Sequence, residues 1–240
     1  MKYLLRISYD GSKFYGFQRL NNKKTVQGTL ESVLSKFFKE DIFVKGAGRT
    51  DRGVHALDQC CHFSTTCNID PYKLRKVIND RVGNYIFVNK CEIIDNDFHA
   101  RFDVSKKVYT YKINLGDYNP ILQDYVYNLN HSLDIERMYN FSKLLLGEHS
   151  YKYFVSDKRE NYDSGIYDIE FNYNDKLLTI VFTGKHFYLH MVRNLVGFLI
   201  AVGKGKYNET DIIKIFNDEI VDDYYSCAPS NGLYLTKIVY

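Results

Sequence analysis

The sequence has no tryptophan, and only three of its 240 residues are proline. With so few prolines there is no Pro-rich linker, and no run of Pro, Gly and Ser tethers one part of the chain flexibly to another. The five cysteines are an odd number and form no C-x-x-C pair. That argues against a disulfide framework and makes a reducing cytoplasm the expected compartment. Cys60 and Cys61 are adjacent, so on a strand they point to opposite faces. Together with His62 and Cys67 they fit no standard zinc spacing, and no metal site is expected. No apolar run is long enough to span a membrane, and the first residues enter an alternating pattern with no signal-peptide core. Charge of one sign is lacking too: 32 basic against 29 acidic residues leave a net +3. A protein held to nucleic acid by bulk charge would be more basic, so any such binding has to come from a local cleft.

What is present describes a globular chain with a sizeable core: 45% hydrophobic and 25% charged residues. Aromatics reach 16%, from 22 Tyr and 16 Phe. Tyrosine offers a stacking face and a polar tip, which suits nucleobases and ordinary cores alike.

Residues 3–9 alternate as a strand, and Asp10-Gly11-Ser12 turns the chain. From Thr25, a capping residue, the apolar positions Val26, Leu30, Val33, Leu34, Phe37 and Phe38 recur at helical spacing. Ile42-Phe43-Val44 reads as a short strand and 58–64 as another. Asp70-Pro71 starts a second helix, which Gly83 can end, and a strand follows at 85–94. This order, β-α-β-β-α-β, is the split βαβ or ferredoxin-like unit.

The second half repeats it. Residues 107–115 alternate as a strand, and Asp134 caps a helix that Gly147 can end. Strands around 169–173 and 178–182 face each other across an Asn174-Asp175 turn. A helix is expected over 187–202, a shorter one over 209–217 and a strand over 233–240. The expected fold class is therefore α+β: two ferredoxin-like halves, 1–104 and 105–240, sharing a long, mostly antiparallel sheet with a central cleft.

One stretch stands apart from this scaffold, Gly46-Ala47-Gly48-Arg49-Thr50-Asp51-Arg52-Gly53-Val54-His55. One carboxylate sits between two guanidinium groups on a glycine-bent backbone. Neighbouring positive charge favours the ionised carboxylate. An ionised, positioned Asp51 can act as nucleophile or base, and Arg49 and Arg52 can hold phosphate. The same residues would equally make a salt-bridged surface turn. No Gly-Lys-Ser/Thr follows, which argues against a nucleotide P-loop. Three further sets bear chemistry. Tyr109 and Tyr111 share one face of a strand and are either base-stacking or core residues. Arg193 lies in an apolar helix, on one face with His190 and Gly197, and needs an acidic or phosphate partner there, structural or catalytic. In Phe98-His99-Ala100-Arg101-Phe102, Arg101 serves either a hinge salt bridge or phosphate.

The string GAGRTDRGVHALDQ resembles the signature of the tRNA pseudouridine synthase A family. Five more segments resemble that family in the same order: Tyr9 to Gln18, Phe98 to Phe102, Lys107 to Tyr111, His190 to Gly197, and Ala228-Pro229 with Gly232 to Leu235. The resemblance implies that Asp51 is the catalytic aspartate, Tyr109 stacks on the target base and Arg193 pairs with the aspartate. It gives Arg49 a part in holding the RNA in its reactive conformation and has Leu233 or Leu235 line the base pocket. It implies a tRNA substrate modified on the 3′ side of the anticodon stem-loop, a homodimer, and no cofactor. The chain departs from the family's pattern at Arg52, where Ala is usual, and at Phe17, where Trp is usual. Tyr167-Asp168-Ile169 lacks an Arg often found there, and 116–131 and 151–165 are hard to match.

Pseudouridine formation breaks uracil N1–C1′ and joins C5 to C1′ without redox change. Asp51 would attack C1′, attack C6 or remove H2′, and the sequence leaves these open. Two other classes stand beside this one. A non-catalytic RNA-binding module does not explain a carboxylate in an RNA groove, and an aspartate-nucleophile hydrolase would need an acidic metal cluster that Asp51 lacks.

Overall fold

In the computed structural model, residues 1–219, 221 and 225–240 are described. In chain order the elements are β1 (Lys2–Tyr9), α1 (Val26–Phe38), β2 (Lys45–Gly46), β3 (His55–Ser64), α2 (Pro71–Asn79), β4 (Ile86–Ile93), β5 (Lys106–Asn114), β6 (Tyr127–Asn128), α3 (Ile135–Ser142), β7 (Gly147–Ser150), β8 (Asp163–Asn174), β9 (Leu177–Gly184), α4 (Met191–Gly203), α5 (Glu209–Phe216) and β10 (Leu233–Val239). The class is α+β, as the alternating and helical patterns predict. The chain forms two compact units, Met1–Ser105 with Tyr234–Tyr240, and Lys106–Leu233.

In the first unit the strands run β4-β1-β3-β10. β1 is antiparallel to both neighbours, with Leu5 opposite Cys61 on β3 and Cys91 on β4. Tyr3, Leu5, Ile7 and Tyr9 share one face of β1 and are buried, and Leu4 on the opposite face is buried as well. Cys60 and Cys61 point to opposite faces of β3, and both are buried. Burial pushes the Cys60 thiol up to about 12, so it stays protonated. The last strand, β10, runs parallel to β3, with Tyr234 beside His55 and Leu235 beside Ala56.

The helices start where the capping residues place them. The Thr25 hydroxyl accepts the Gly28 N–H at 3.2 Å, and the Asp70 carboxylate accepts the Lys73 N–H at 3.0 Å ahead of Pro71. α1 turns Val26, Leu30, Leu34 and Phe38 into the core. Its remaining buried residue is a carboxylate, Glu31.

That carboxylate explains why Ile42-Phe43-Val44 is not a strand. Val44 donates its N–H to Glu31 Oε1 at 3.0 Å, and its carbonyl accepts from Gln27 Nε2 at 2.9 Å. Gln27 Nε2 also donates to Glu31 Oε1 at 3.0 Å. Two side chains one helical turn apart thus take both backbone groups that a neighbouring strand would have taken. Strand pairing begins one residue later, at Lys45, which opens the glycine loop. Gly83 does not end α2, which stops at Asn79; it lies in the following turn at φ +79°.

In the second unit β5, β9, β8 and β7 are successive antiparallel neighbours, and β6 runs parallel to β5. The hairpin turn is Asp175-Lys176, one residue beyond the predicted dipeptide, and both residues have positive φ. Asn174 is instead the last paired residue of β8, opposite Leu177. Two positive φ values give the turn the twist a two-residue hairpin needs. Asp134 caps α3 by accepting the Arg137 N–H at 2.9 Å. The helix ends at Ser142, before Gly147, which starts β7. α4 is buried along almost its whole length. It begins at Met191, because Phe187, Tyr188, Leu189 and His190 form its approach and not its first turn.

The Glu31 clamp gives a stability prediction. Glu31→Ala leaves the buried Val44 N–H without an acceptor and should cost about 1–3 kcal/mol in denaturant unfolding. Glu31→Gln keeps an acceptor oxygen and should cost less than half as much. Equal losses would show that the carboxylate charge, and not the hydrogen bond, is what matters.

Candidate active site

The glycine loop leaves β2 along the edge of β3. Lys45 and Gly46 pair with His62 and Cys61, and the Ala47 N–H continues the ladder to the Cys60 carbonyl at 2.8 Å. The fully buried Gln59 amide donates to the Gly48 carbonyl at 3.0 Å. The chain is then fixed at Thr50. The Thr50 hydroxyl lies 2.7 Å from the Tyr9 hydroxyl, and its carbonyl accepts the Phe17 N–H at 3.0 Å. Gly16 makes this approach feasible: it has φ +90°, and a Cβ on it would stand 2.8 Å from the Thr50 carbonyl oxygen. Beyond Asp51 the loop closes with the Val54 N–H donating to the Asp51 carbonyl at 3.2 Å.

His55 anchors the far end. Its ring is 2% exposed and stacks on Tyr234 with centroids 4.7 Å apart. Its Nδ1 accepts the Gly11 N–H at 3.1 Å. The same nitrogen lies 3.4 Å from the Asp10 carboxylate.

Asp51 is half-buried, while Arg49 and Arg52 on either side are exposed. The Arg52 guanidinium lies over the Tyr15 ring, 4.5 Å from its centroid. Arg101, also exposed, sits in the turn after Phe98, its guanidinium 6.0 Å from the Phe102 ring centroid. That turn is tied to β3 by the Ala100 N–H, which donates to His62 Nδ1 at 3.1 Å. Burial, with help from Lys2, His99 and Lys45, pulls the His62 imidazole down to about 4 and keeps it neutral as the acceptor. Leu235 is fully buried on β10, next to Tyr234.

In the second unit Tyr109 lies on β5 opposite Phe182. Its ring meets Phe187 edge to face, with centroids 5.2 Å apart, and the residue is 7% exposed. Tyr111, two residues on, is wholly buried and donates its hydroxyl to the Pro229 carbonyl at 2.6 Å. Burial raises its pKa well above the usual phenol value.

Arg193 is half-buried on the first turn of α4. Its Nε donates to the Ala228 carbonyl at 2.7 Å, and its own carbonyl accepts the Ala228 N–H at 3.2 Å. The helix and the segment around residues 225–228 are therefore latched by one residue on each side. Gly197, one turn along, lets that segment lie on the helix: a Cβ there would stand 2.0 Å from the Ser226 carbonyl oxygen. His190 does not share a helix face with Arg193. It caps α4 in the left-handed region at φ 59°, its Nδ1 3.0 Å from the Ser156 hydroxyl. Leu233, at the start of β10, is 5% exposed.

Sequence reasoning missed Tyr9, Gln59 and Tyr15 as parts of the loop's surroundings, and Thr50 as the loop residue that Tyr9 holds. Tyr9 and Tyr15 lie in the segment that resembles the family's opening, but only the fold shows that this segment rests against the loop. Among the described residues no group of three His, Cys, Asp or Glu lies close enough together to hold a metal ion.

The model of a family described as tRNA pseudouridine synthase matches residues 6–103 and 141–240. Relatives named tRNA pseudouridine synthase A match over the whole chain. The protein of Dictyoglomus thermophilum is 39% identical over 98% of this chain and 98% of its own length. That of Malacoplasma penetrans is 36% identical over 100% of both chains. That of Thermosipho africanus is 35% identical over 100% of this chain and 99% of its own.

The latch on α4 predicts that Gly197→Ala displaces residues 225–228, at a cost of about 1–3 kcal/mol in stability. Amide hydrogen exchange at Ala228 should speed up, because its N–H loses the Arg193 carbonyl. Unchanged protection at Ala228 would show that the segment is held elsewhere.

Proposed function

The chain belongs to the tRNA pseudouridine synthase family, and from this we propose that it isomerises uridine to pseudouridine in tRNA, on the 3′ side of the anticodon stem-loop. The observation that carries the reading is Asp51, a half-buried carboxylate on a loop whose backbone is fixed on both sides of it, between two exposed guanidinium groups. The match of the family model and of full-length relatives supports it, and those relatives carry an enzyme's name, which disfavours a non-catalytic RNA-binding module.

In the reaction the N1–C1′ bond breaks, the uracil turns, and C5 bonds to C1′. The C5 hydrogen leaves as a proton and N1 takes one up, so atoms and electrons balance with no oxidant, reductant or metal. Asp51 acts on the bound uridine as nucleophile at C1′ or C6, or as the base that removes H2′. The uridine must first leave its stack, at a cost of a few kcal/mol. Tyr109 returns about 1–3 kcal/mol by stacking on the freed base. Arg49, Arg52 and Arg101 take phosphates of the displaced backbone, and Arg52 adds a positive charge that the family's usual Ala does not supply. Arg193 supports Asp51 as its charge partner, and Leu233 or Leu235 supplies the apolar lining for the uracil. The enzyme acts in the cytoplasm as a homodimer.

The test is release of tritium from tRNA labelled at uracil C5, with metal chelated. The wild-type protein should release it, because forming C5–C1′ expels that hydrogen. Asp51→Asn should slow release by more than about a thousandfold and keep tRNA affinity within a few-fold. Near-normal turnover by that variant would refute the role of Asp51.

Tyr109 is tested in the same assay. Tyr109→Phe keeps a stacking face and should retain most of the rate, whereas Tyr109→Leu should lose about tenfold or more. Equal rates for the two would mean that Tyr109 is a core residue only.

A further inference from the structure

We propose that Tyr15, Arg52, Lys23, Lys24 and Tyr85 form a second RNA subsite, which stacks a base and binds phosphates of the strand flanking the target uridine; the inference rests on the action on tRNA proposed above.

Tyr15 is 40% exposed between Phe14 and Phe17, each of which is 3% exposed. The chain buries its neighbours and leaves this ring outside. Two cations lie over it, the Arg52 guanidinium at 4.5 Å and the Lys23 ammonium at 4.7 Å from the centroid. Beside it the Lys24 ammonium lies 5.2 Å from the ring of Tyr85, which is 44% exposed. Lys23 and Lys24 follow a turn in which Asn22 adopts φ 57°, and that turn brings them back over the rings.

Among the described residues none of these three cations has a carboxylate within ion-pair distance. Three uncompensated positive charges around two exposed rings repel one another, and a polyanion relieves that repulsion. The rings narrow the choice of polyanion. An acidic peptide brings carboxylates but no flat faces, whereas a single nucleic-acid strand brings phosphates and bases at alternating positions. A base that stacks on one of these rings displaces the cation now over it towards the adjoining phosphates.

The position ties the subsite to the chemistry. Arg52 follows Asp51 directly, and Gly16, next to Tyr15, packs on the backbone of Thr50 to Arg52. The Tyr15 N–H donates to the Lys24 carbonyl at 2.9 Å, which ties the two backbone segments together. A strand whose uridine reaches Asp51 passes this face with an adjoining nucleotide.

The experiment has a binding arm and a turnover arm. In the binding arm, tRNA affinity of Asp51→Asn protein is measured from low to high salt, with and without Lys23→Gln and Lys24→Gln together. The double change should lower the slope of log affinity against log salt by about 1.4–1.8, the value for two lost phosphate contacts. In the turnover arm, Tyr15→Leu should raise KM about tenfold and leave kcat within about twofold, while Tyr15→Phe behaves as wild type. Circular dichroism confirms that each variant is folded. An unchanged salt slope together with an unchanged KM overturns the subsite. So does a Tyr15→Leu variant that loses kcat at constant KM, since that is the mark of a residue that supports the loop and does not touch RNA. Failure of the wild-type protein to release tritium would instead refute the isomerase reading, and the binding arm would still decide the subsite.

Discussion

The site depends on how the backbone is held at Thr50. A carboxylate that must meet one atom of a nucleotide needs a rigid attachment, and Asp51 sits on a loop, the least rigid kind of element. Here the loop borrows its rigidity. The Thr50 side chain is bound by Tyr9 from β1, its carbonyl by the N–H of Phe17, and the glycine at position 16 removes the side chain that would keep the two segments apart. Upstream, Gln59 holds Gly48, and downstream His55 holds Gly11. Each contact joins the loop to an element of the sheet or to its entry, so loop and sheet share one set of constraints.

The second unit handles a different problem, a guanidinium on a helix that is buried almost everywhere else. A buried cation without partners would cost several kcal/mol. Arg193 avoids part of that cost because it is half-exposed and its Nε donates to the Ala228 carbonyl. The latch uses the helix backbone as well as the side chain, so the position of Arg193 and the course of residues 225–228 are set together. Gly197 is part of the same device, since a larger residue would push that segment off the helix.

Much of this was legible in the sequence because it is local. Thr25, Asp70 and Asp134 cap the helices they precede, and strand alternation marks β1, β5, β8 and β9. Asp51 stands out at short range, as a carboxylate between arginines among glycines, but it is the family resemblance that separates it from an ordinary salt-bridged turn. What escaped depends on residues far apart in the chain. The misread strand at Ile42-Phe43-Val44 has the right side chains for a strand, but its hydrogen bonds go to Gln27 and Glu31 on α1. His190 has helical spacing from Arg193, yet a left-handed backbone takes it off the helix. The two short strands β6 and β7 have four residues at most, too few for any periodicity to show. Tyr15 is one aromatic among many in the sequence, and only the fold brings Arg52, thirty-seven positions later, over its ring.

Net charge was the least informative quantity, and the reason is distance. Thirty-two basic and 29 acidic residues nearly cancel in a sum, but a phosphate at the loop does not experience the sum. Screening at physiological salt removes exposed charges more than about 8–10 Å away. Around Asp51 the charges closest in sequence are Arg49 and Arg52, and Arg52 shares a ring with Lys23. On the function proposed above, an RNA strand at this loop meets Asp51 together with Arg49, Arg52 and Lys23, whatever the rest of the surface carries. On that reading the flanking guanidinium groups offset the repulsion that a lone Asp would exert on the phosphates of its substrate.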